Sequence, residues 1–393
     1  MDPGDGPLPP RNLVLLGAGH THLHVLREWT SDPVSEVRLT CISEFPVAAY
    51  SGMLPGVLAR QYAPADMEID LARLCAFAGA RLVVAAPRAI DVSNRRLTFS
   101  NRAPIPFDVL SIGIGSIPDR AGTTFASETC LDIKPMQTFL PRLTDVLERL
   151  SRRGTERLRV AIVGGGAGGI EIALCLPGFL KSGGWEFRVR IALVQAASDL
   201  LPDSGRGLRR RVARVLAERN VEVRLGERVE HVGATAVHTS RGRSISADLV
   251  IWAGSAAASP LLLETGQVTD GRGFLLTDST LRVVSGEPVF AVGDAGTIRE
   301  ARTPKAGVYA VRQGPILWEN LHRFFADESL IAYRPQARFL KLLNRGDGRA
   351  LGEYRGLSLE GRLAWKLKDW IDARFVRRYA VDTPPERMPP PLD

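Results

Sequence analysis

Three features of the sequence predict an α/β fold of two similar units, the second inserted into the first, followed by a C-terminal tail. An apolar run, a glycine-rich turn and a helical pattern occur in that order over residues 12–29 and again over residues 160–176. A further apolar run at 289–293 leads into Asp294, ahead of a helix beginning near Pro304, so the chain returns to the first unit.

Taken in order, residues 12–16 are the first strand, residues 22–29 turn helical, and residues 37–42 supply the next strand. Residues 81–100 alternate as strand, strand-turn and strand, and FDVLSIGI at 107–114 is a buried strand. Residues 136–150 set Phe139, Leu140, Leu143, Val146, Leu147 and Leu150 on one helical stripe, and the polar SRRGTERLR at 151–159 marks a boundary. The second unit continues with a strand at 189–194, a helix from about 207 to 219 and a closing strand, ADLVIWA, at 247–253. The expected division is a first domain at 10–135 and 256–330, a second at 136–255 and a C-terminal helical region at 331–393. Its last residues, MPPPLD, hold no regular structure because proline lacks the amide donor.

The 393 residues carry 51 Lys and Arg against 43 Asp and Glu, a net charge of +8 that suits anionic partners without choosing among them. Cys41, Cys75, Cys130 and Cys175 are far apart, with neither a C-x-x-C pair nor metal-ligand spacing, which points to a reducing cytoplasmic setting. The opening MDPGDGPLPPR has no basic start and apolar run of an export signal, and no run of about 18 apolar residues could span a bilayer. Any membrane contact is therefore expected to be peripheral. His20, His22 and His24 are set aside as a metal site because His22 points away from the other two on a helix and no further ligand cluster is visible.

The glycine turns carry the chemistry. Gly17-Ala18-Gly19 lies between strand and helix, where Gly17 permits the tight turn and Gly19 lets backbone approach a pyrophosphate at the helix N-terminus. His22 stands at the third glycine position, so looser packing is expected there. The second turn satisfies G-x-G-x-x-G completely, with Gly164, Gly166 and Gly169. A plain turn rarely needs so many glycines, each costing roughly 0.5–1 kcal/mol of backbone entropy. Two Rossmann-like dinucleotide-binding domains are thus predicted, a pairing suited to hydride transfer from a nicotinamide to a flavin. The acid expected on each ribose is irregular: the first second-strand ends in Ser43-Glu44, with Glu44 displaced by one residue, and the other ends in Gln195, which leaves NADH and NADPH both open.

The motifs VGGGAGGIEIAL, ADLVIWAG and VFAVGDAG resemble the two-dinucleotide flavoprotein family of type II NADH dehydrogenases and sulfide:quinone oxidoreductases. The motifs LLGAGHTHLHVL, AYSGMLPGVLA, DVLSIGIGSIP, RTPKAGVYAVRQGPIL and FLKLLNRGDGRAL resemble the branch fused to selenide, water dikinase. The resemblance implies bound FAD, with Asp294 beside Gly293 on the ribityl chain and Gly115 of DVLSIGIGSIP among the cofactor contacts. It further implies a helix starting near Pro304 aimed at the flavin, with Lys305 adding positive charge there; a solvated lysine is the alternative. Glu171 matches the family Glu near nicotinamide and flavin, or else simply complements a helix dipole. Tyr50 falls in the loop near the flavin ring and Gln313 near the acceptor, against readings as a turn residue and a surface glutamine.

The function expected is FAD-dependent electron transfer from NADH or NADPH to a quinone or similar small acceptor, with no nucleic-acid partner. A selenium- or sulfur-linked flavoprotein is a second reading, made awkward by the missing cysteine pair. A flavin-bound redox sensor with a vestigial nucleotide site is a third, kept open by Gln195. The tail helix, with Leu363, Trp365, Leu367 and Trp370 among Arg362, Lys366, Lys368 and Arg374, either docks on its own domain or lies on a membrane surface.

Overall fold

The computed structural model describes residues 10–185 and 188–381. The closing MPPPLD and nearly all of the opening segment lie outside the described residues.

The first sheet is parallel throughout, in the order Val289–Ala291, Val109–Ile112, Arg11–Leu16, Val37–Ser43, Arg81–Val84. Its central strands turn apolar where they cross the sheet, LVLL at 13–16 and VFA at 289–291, because both faces are covered there. Leu13 and Leu15 point into a core shared with the helices His20–Trp29 and Gly307–Phe325, whereas Val14 and Leu16 face an antiparallel layer holding Ile90, Leu97 and Ile105. The two helices pack closely because Gly314 has no side chain: a Cβ there would lie 2.7 Å from that of His24.

The second sheet repeats the plan, in the order Cys130–Asp132, Leu249–Trp252, Arg157–Val163, Arg188–Gln195, Glu222–Leu225. The helices Met136–Arg152, Ala167–Ser182 and Arg206–Glu218 cover one face, and a sheet containing Val229–Val232, Ala236–Thr239 and Ser244–Ser246 covers the other. Both units are Rossmann-like. The strand Cys130–Asp132 joins this sheet ahead of residue 136; at three residues it is too short to show a pattern.

Two expectations change. The helix expected near Pro304 starts at Gly307, because the chain stays extended through Ala306 (φ −145°, ψ 140°). The tail is not only helical: Lys341–Asn344, Ala350–Tyr354 and Leu357–Gly361 form an antiparallel meander before the helix Arg362–Tyr379. Left-handed glycines at Gly346 (φ +76°), Gly348 (φ +73°) and Gly356 (φ +84°) make its reversals.

The tail ties the two units together. Its meander binds the second unit, where Glu360 accepts from Arg211 at 3.1 Å and also meets Arg214 and Arg345, while Glu353 accepts from Gly205 N–H at 2.8 Å. Its helix docks on the first unit with an inverted polarity. Lys368 and Asp372 are buried, whereas Leu363 is 82% exposed and Trp370 54%.

Candidate active site

Both glycine turns lie at the carboxyl ends of parallel strands, where open α/β sheets bind ligands. Gly17 takes φ +88°, and a Cβ on Gly17 or Gly19 would lie 2.8 Å from the backbone of Gly113, so only glycine lets the two loops meet. The expected looseness at His22 is not found. Gly113 lacks a side chain where the imidazole lies, and the ring fills that space. His22 Nδ1 donates to the Gly17 carbonyl at 2.5 Å, and Nε2 therefore accepts from the Ser111 hydroxyl at 2.8 Å. Burial lowers its pKa to about 4 against the pull of the Gly17 carbonyl, and the neutral ring braces the turn from within.

Asp294 follows Gly293 (φ +60°), whose N–H donates to Gln313 Oε1 at 2.6 Å. Gln313 is thus a buried buttress of the turn rather than a surface residue. Asp294 Oδ2 accepts from Ser116 at 2.6 Å and from Lys134 at 3.5 Å, and Oδ1 has no partner among the described residues. Gly115 (φ +75°) borders open space, Glu44 is exposed just past the strand Val37–Ser43, and the buried Ser43 hydroxyl accepts from Phe45 N–H. Lys305 lies before the helix rather than in its first turn. Its ammonium donates to the Gly296 carbonyl at 2.6 Å and Thr297 Oγ1 at 2.9 Å, and sits 3.9 Å from the centre of the Phe274 ring. Burial lowers its pKa to about 8, opposed by Asp294 and Asp270.

At the second turn, Gly164 takes φ +120° and a Cβ there would strike the Ala253 carbonyl; one on Gly169 would strike the Gly164 carbonyl. Gly166 faces open space, leaving room for a ligand against the helix end. Gln195 folds back so that Oε1 accepts from Gly165 N–H at 3.0 Å.

Glu171 and Tyr50 meet in a buried cluster assembled by the tail. Tyr50 donates to Asp372 Oδ1 at 3.2 Å, while Lys368 donates to Asp372 Oδ2 at 2.8 Å and to the Gly52 carbonyl at 2.9 Å. Burial works against the Lys368 ammonium, but Glu171 and Asp372 outweigh it and hold the charge. Glu171 accepts from Asn344 N–H at 2.7 Å, and burial raises its pKa to about 7 despite Lys368. Tyr50 stacks on Phe375 at 4.3 Å between ring centres, and His20 packs on both rings. The sequence assigns no role to Lys134, Ser116, Asp372 or Asn344, and places Lys368 only among the basic residues of a tail helix that docks or meets a membrane. The available signal was Lys368 and Asp372, an oppositely charged pair four apart in an aromatic helix.

Residues 11–314, three-quarters of the chain and both glycine turns, match the family described as pyridine nucleotide-disulphide oxidoreductase. The chain belongs to that family. It is 30% identical over 227 residues to an NADH dehydrogenase-like protein of Mycobacterium tuberculosis, covering 56% of each chain. It is 25% identical over 264 residues to a type II NADH:quinone oxidoreductase of Haemophilus influenzae, covering 58% of this chain and 59% of that one. The matches span little more than half the length of these relatives. The sulfide:quinone oxidoreductase structure from Aquifex aeolicus shares the fold, with a TM-score of 0.75 at 16% identity over 96% of this chain and 94% of the other.

As a member of the pyridine nucleotide-disulphide oxidoreductase family, the chain has cysteines poorly placed for thiol chemistry. All four are buried. A hydrogen bond with Cys41, followed by burial, raises the Cys75 thiol; burial, with Asp132 adding to it, pushes Cys130 up to about 11, and burial with Glu171 raises Cys175.

Proposed function

We propose that the chain is an FAD-dependent dehydrogenase that passes two electrons from NADH or NADPH to a quinone or similar small acceptor. One observation carries this reading: the helices opened by the two glycine turns, one per sheet, bring His20 and Glu171 to one cluster with Tyr50, Lys368 and Asp372. Kinship with NADH:quinone oxidoreductases supports the choice of donor and acceptor.

The residues fit FAD at the first turn. Gly17, Ala18 and Gly19 bring backbone to a pyrophosphate, Glu44 takes a ribose, and Asp294 offers its unpartnered Oδ1 to a ribityl hydroxyl beside Gly115 and Gly293. His22 contributes by bracing the turn. Bound FAD supplies a ring that accepts hydride from a nicotinamide and releases electrons singly or in pairs. The chain's own part is to hold the reactants together and tune their charge. Gly164, Gly166 and Gly169 receive the donor, and Lys305 supplies positive potential. Glu171, with a pKa of about 7, can hold or release a proton near neutrality; Tyr50 borders the acceptor, and Gln313 acts there only through the Gly293 turn it braces.

The division into units at 10–135 with 256–330, 136–255 and 331–393 is part of the reading, with the strand Cys130–Asp132 serving the second unit. Peripheral membrane contact is the further part. Among the described residues no helix is long and apolar enough to cross a membrane. The inverted tail helix instead leaves Leu363, Leu367 and Trp370 outward beside Lys366 and Arg374, a pattern suited to an anionic bilayer surface.

Anaerobic stopped-flow mixing of the purified flavoprotein with NADH or NADPH, followed by a soluble quinone, tests the function. Bleaching of the flavin and its recovery on quinone addition are expected; flavin that stays oxidised with both nucleotides overturns the reading.

A further inference from the structure

We propose that the second glycine turn selects a nucleotide carrying a 2′-phosphate, making NADPH the preferred donor. The inference rests on the nucleotide reading of that turn given above.

In a Rossmann-like unit, a carboxylate at the end of the second strand accepts the ribose hydroxyls and repels a 2′-phosphate. Here the strand Arg188–Gln195 ends in an amide whose oxygen is already taken by Gly165 N–H at 3.0 Å and whose nitrogen reaches the Asp199 carbonyl at 3.4 Å. Gln195 therefore brings no negative charge, and its amide is already tied back to the turn. The next two residues, Ala196 and Ala197, are small and at least partly exposed, leaving space where the ribose edge would lie.

The charge around this space is positive. Asp199 is neutralised by Arg209 at 2.8 Å, and Arg209 Nε is buried without a partner among the described residues. On the other side, Gly226 N–H donates to the Ala197 carbonyl at 2.8 Å. Gly226 adopts φ +65°, and Arg241 Nη2 lies 2.8 Å from where its Cβ would stand. The nearby acid Glu227 is 2% exposed and engaged by Thr239 at 3.0 Å and Arg243 at 3.3 Å. Arg241 is thus an exposed guanidinium with no ion-pair partner among the described residues. A phosphomonoester carries about −1.5 to −2 charges at neutral pH, and a guanidinium matches it with paired N–H donors.

The test is calorimetric titration of the full chain with adenosine 2′,5′-bisphosphate and with 5′-AMP, which differ only in the 2′-phosphate. The bisphosphate is expected to bind about tenfold tighter or more. Arg241→Ala should narrow that ratio to about twofold, and Gln195→Glu should reverse it by placing a carboxylate against the phosphate. If both ligands bind and 5′-AMP binds as well or better, the selectivity is overturned while the nucleotide site stands. A ratio unchanged in both Arg241→Ala and Arg209→Ala overturns the assignment to these arginines. Failure of either ligand to bind removes the nucleotide reading and this inference together.

Discussion

Glu171 keeps its carboxyl under the tail, where burial raises the pKa to about 7 from the ordinary 4.5. Between those two values unfolding releases a proton. The group's contribution to stability is therefore full below about pH 4.5, falls as pH rises through 7 and is level above. Glu171→Gln retains an oxygen for Asn344 N–H and should flatten this decline; urea midpoints measured across the window decide it, and an unchanged slope would contradict the assignment. Lys368 is the counter-charge for two carboxylates. Lys368→Met should cost about 3–5 kcal/mol in urea unfolding, because it strands buried charge, whereas the double change Lys368→Met with Asp372→Leu should cost much less. Equal losses in the two variants would show that the pair does not act as one unit. Resemblance to the flavoprotein family nominates Glu171 but not its partners, since Lys368 donates to a carbonyl 316 positions earlier in the chain.

At the scale of elements, the glycines of the second turn divide by what surrounds them. A Cβ at Gly169 collides with the Gly164 carbonyl, whereas one at Gly166 meets nothing within 4 Å. Gly169→Ala should therefore lower stability by about 1–3 kcal/mol through overpacking. Gly166→Ala should leave the melting temperature nearly unchanged and weaken 5′-AMP binding, because the space it fills is the ligand's. If Gly166→Ala melts early instead, that space is structural. Both turns were legible in sequence because strand, turn and helix are contiguous. His22 was not: its fit depends on Ser111 and Gly113, brought alongside by a neighbouring parallel strand. The start of the helix at Gly307 is likewise not legible in sequence, since the chain stays extended through Ala306 while Lys305 turns back to Gly296 and Thr297.

At the scale of the molecule, the tail is the part that makes one site from two units. Its meander grips the second unit through Glu353 and Glu360, and its helix places Lys368 and Asp372 against the Tyr50 loop of the first. This docking turns Leu363, Leu367 and Trp370 outward. The full chain is expected to co-sediment with vesicles containing anionic phospholipid and not with zwitterionic ones. Trp370→Ser should weaken that binding while changing stability by no more than about 0.5 kcal/mol, as at other exposed positions. Absence of sedimentation with anionic vesicles would mean that the exposed face has another use.

The sequence alone determined the two Rossmann-like units and the positions of their glycine turns, because hydrophobic period and backbone freedom are local properties that short stretches of chain express. The end of the second strand marked Gln195, and resemblance to the flavoprotein family marked Glu171 and Asp294. Only the tertiary structure decided which groups surround them: Lys134 and Ser116 at Asp294, Lys368 and Asn344 about Glu171, and Arg209 and Arg241 beside the Gln195 turn. These partners come from distant segments, and their charges acquire their effect where folding removes water and lowers the local dielectric.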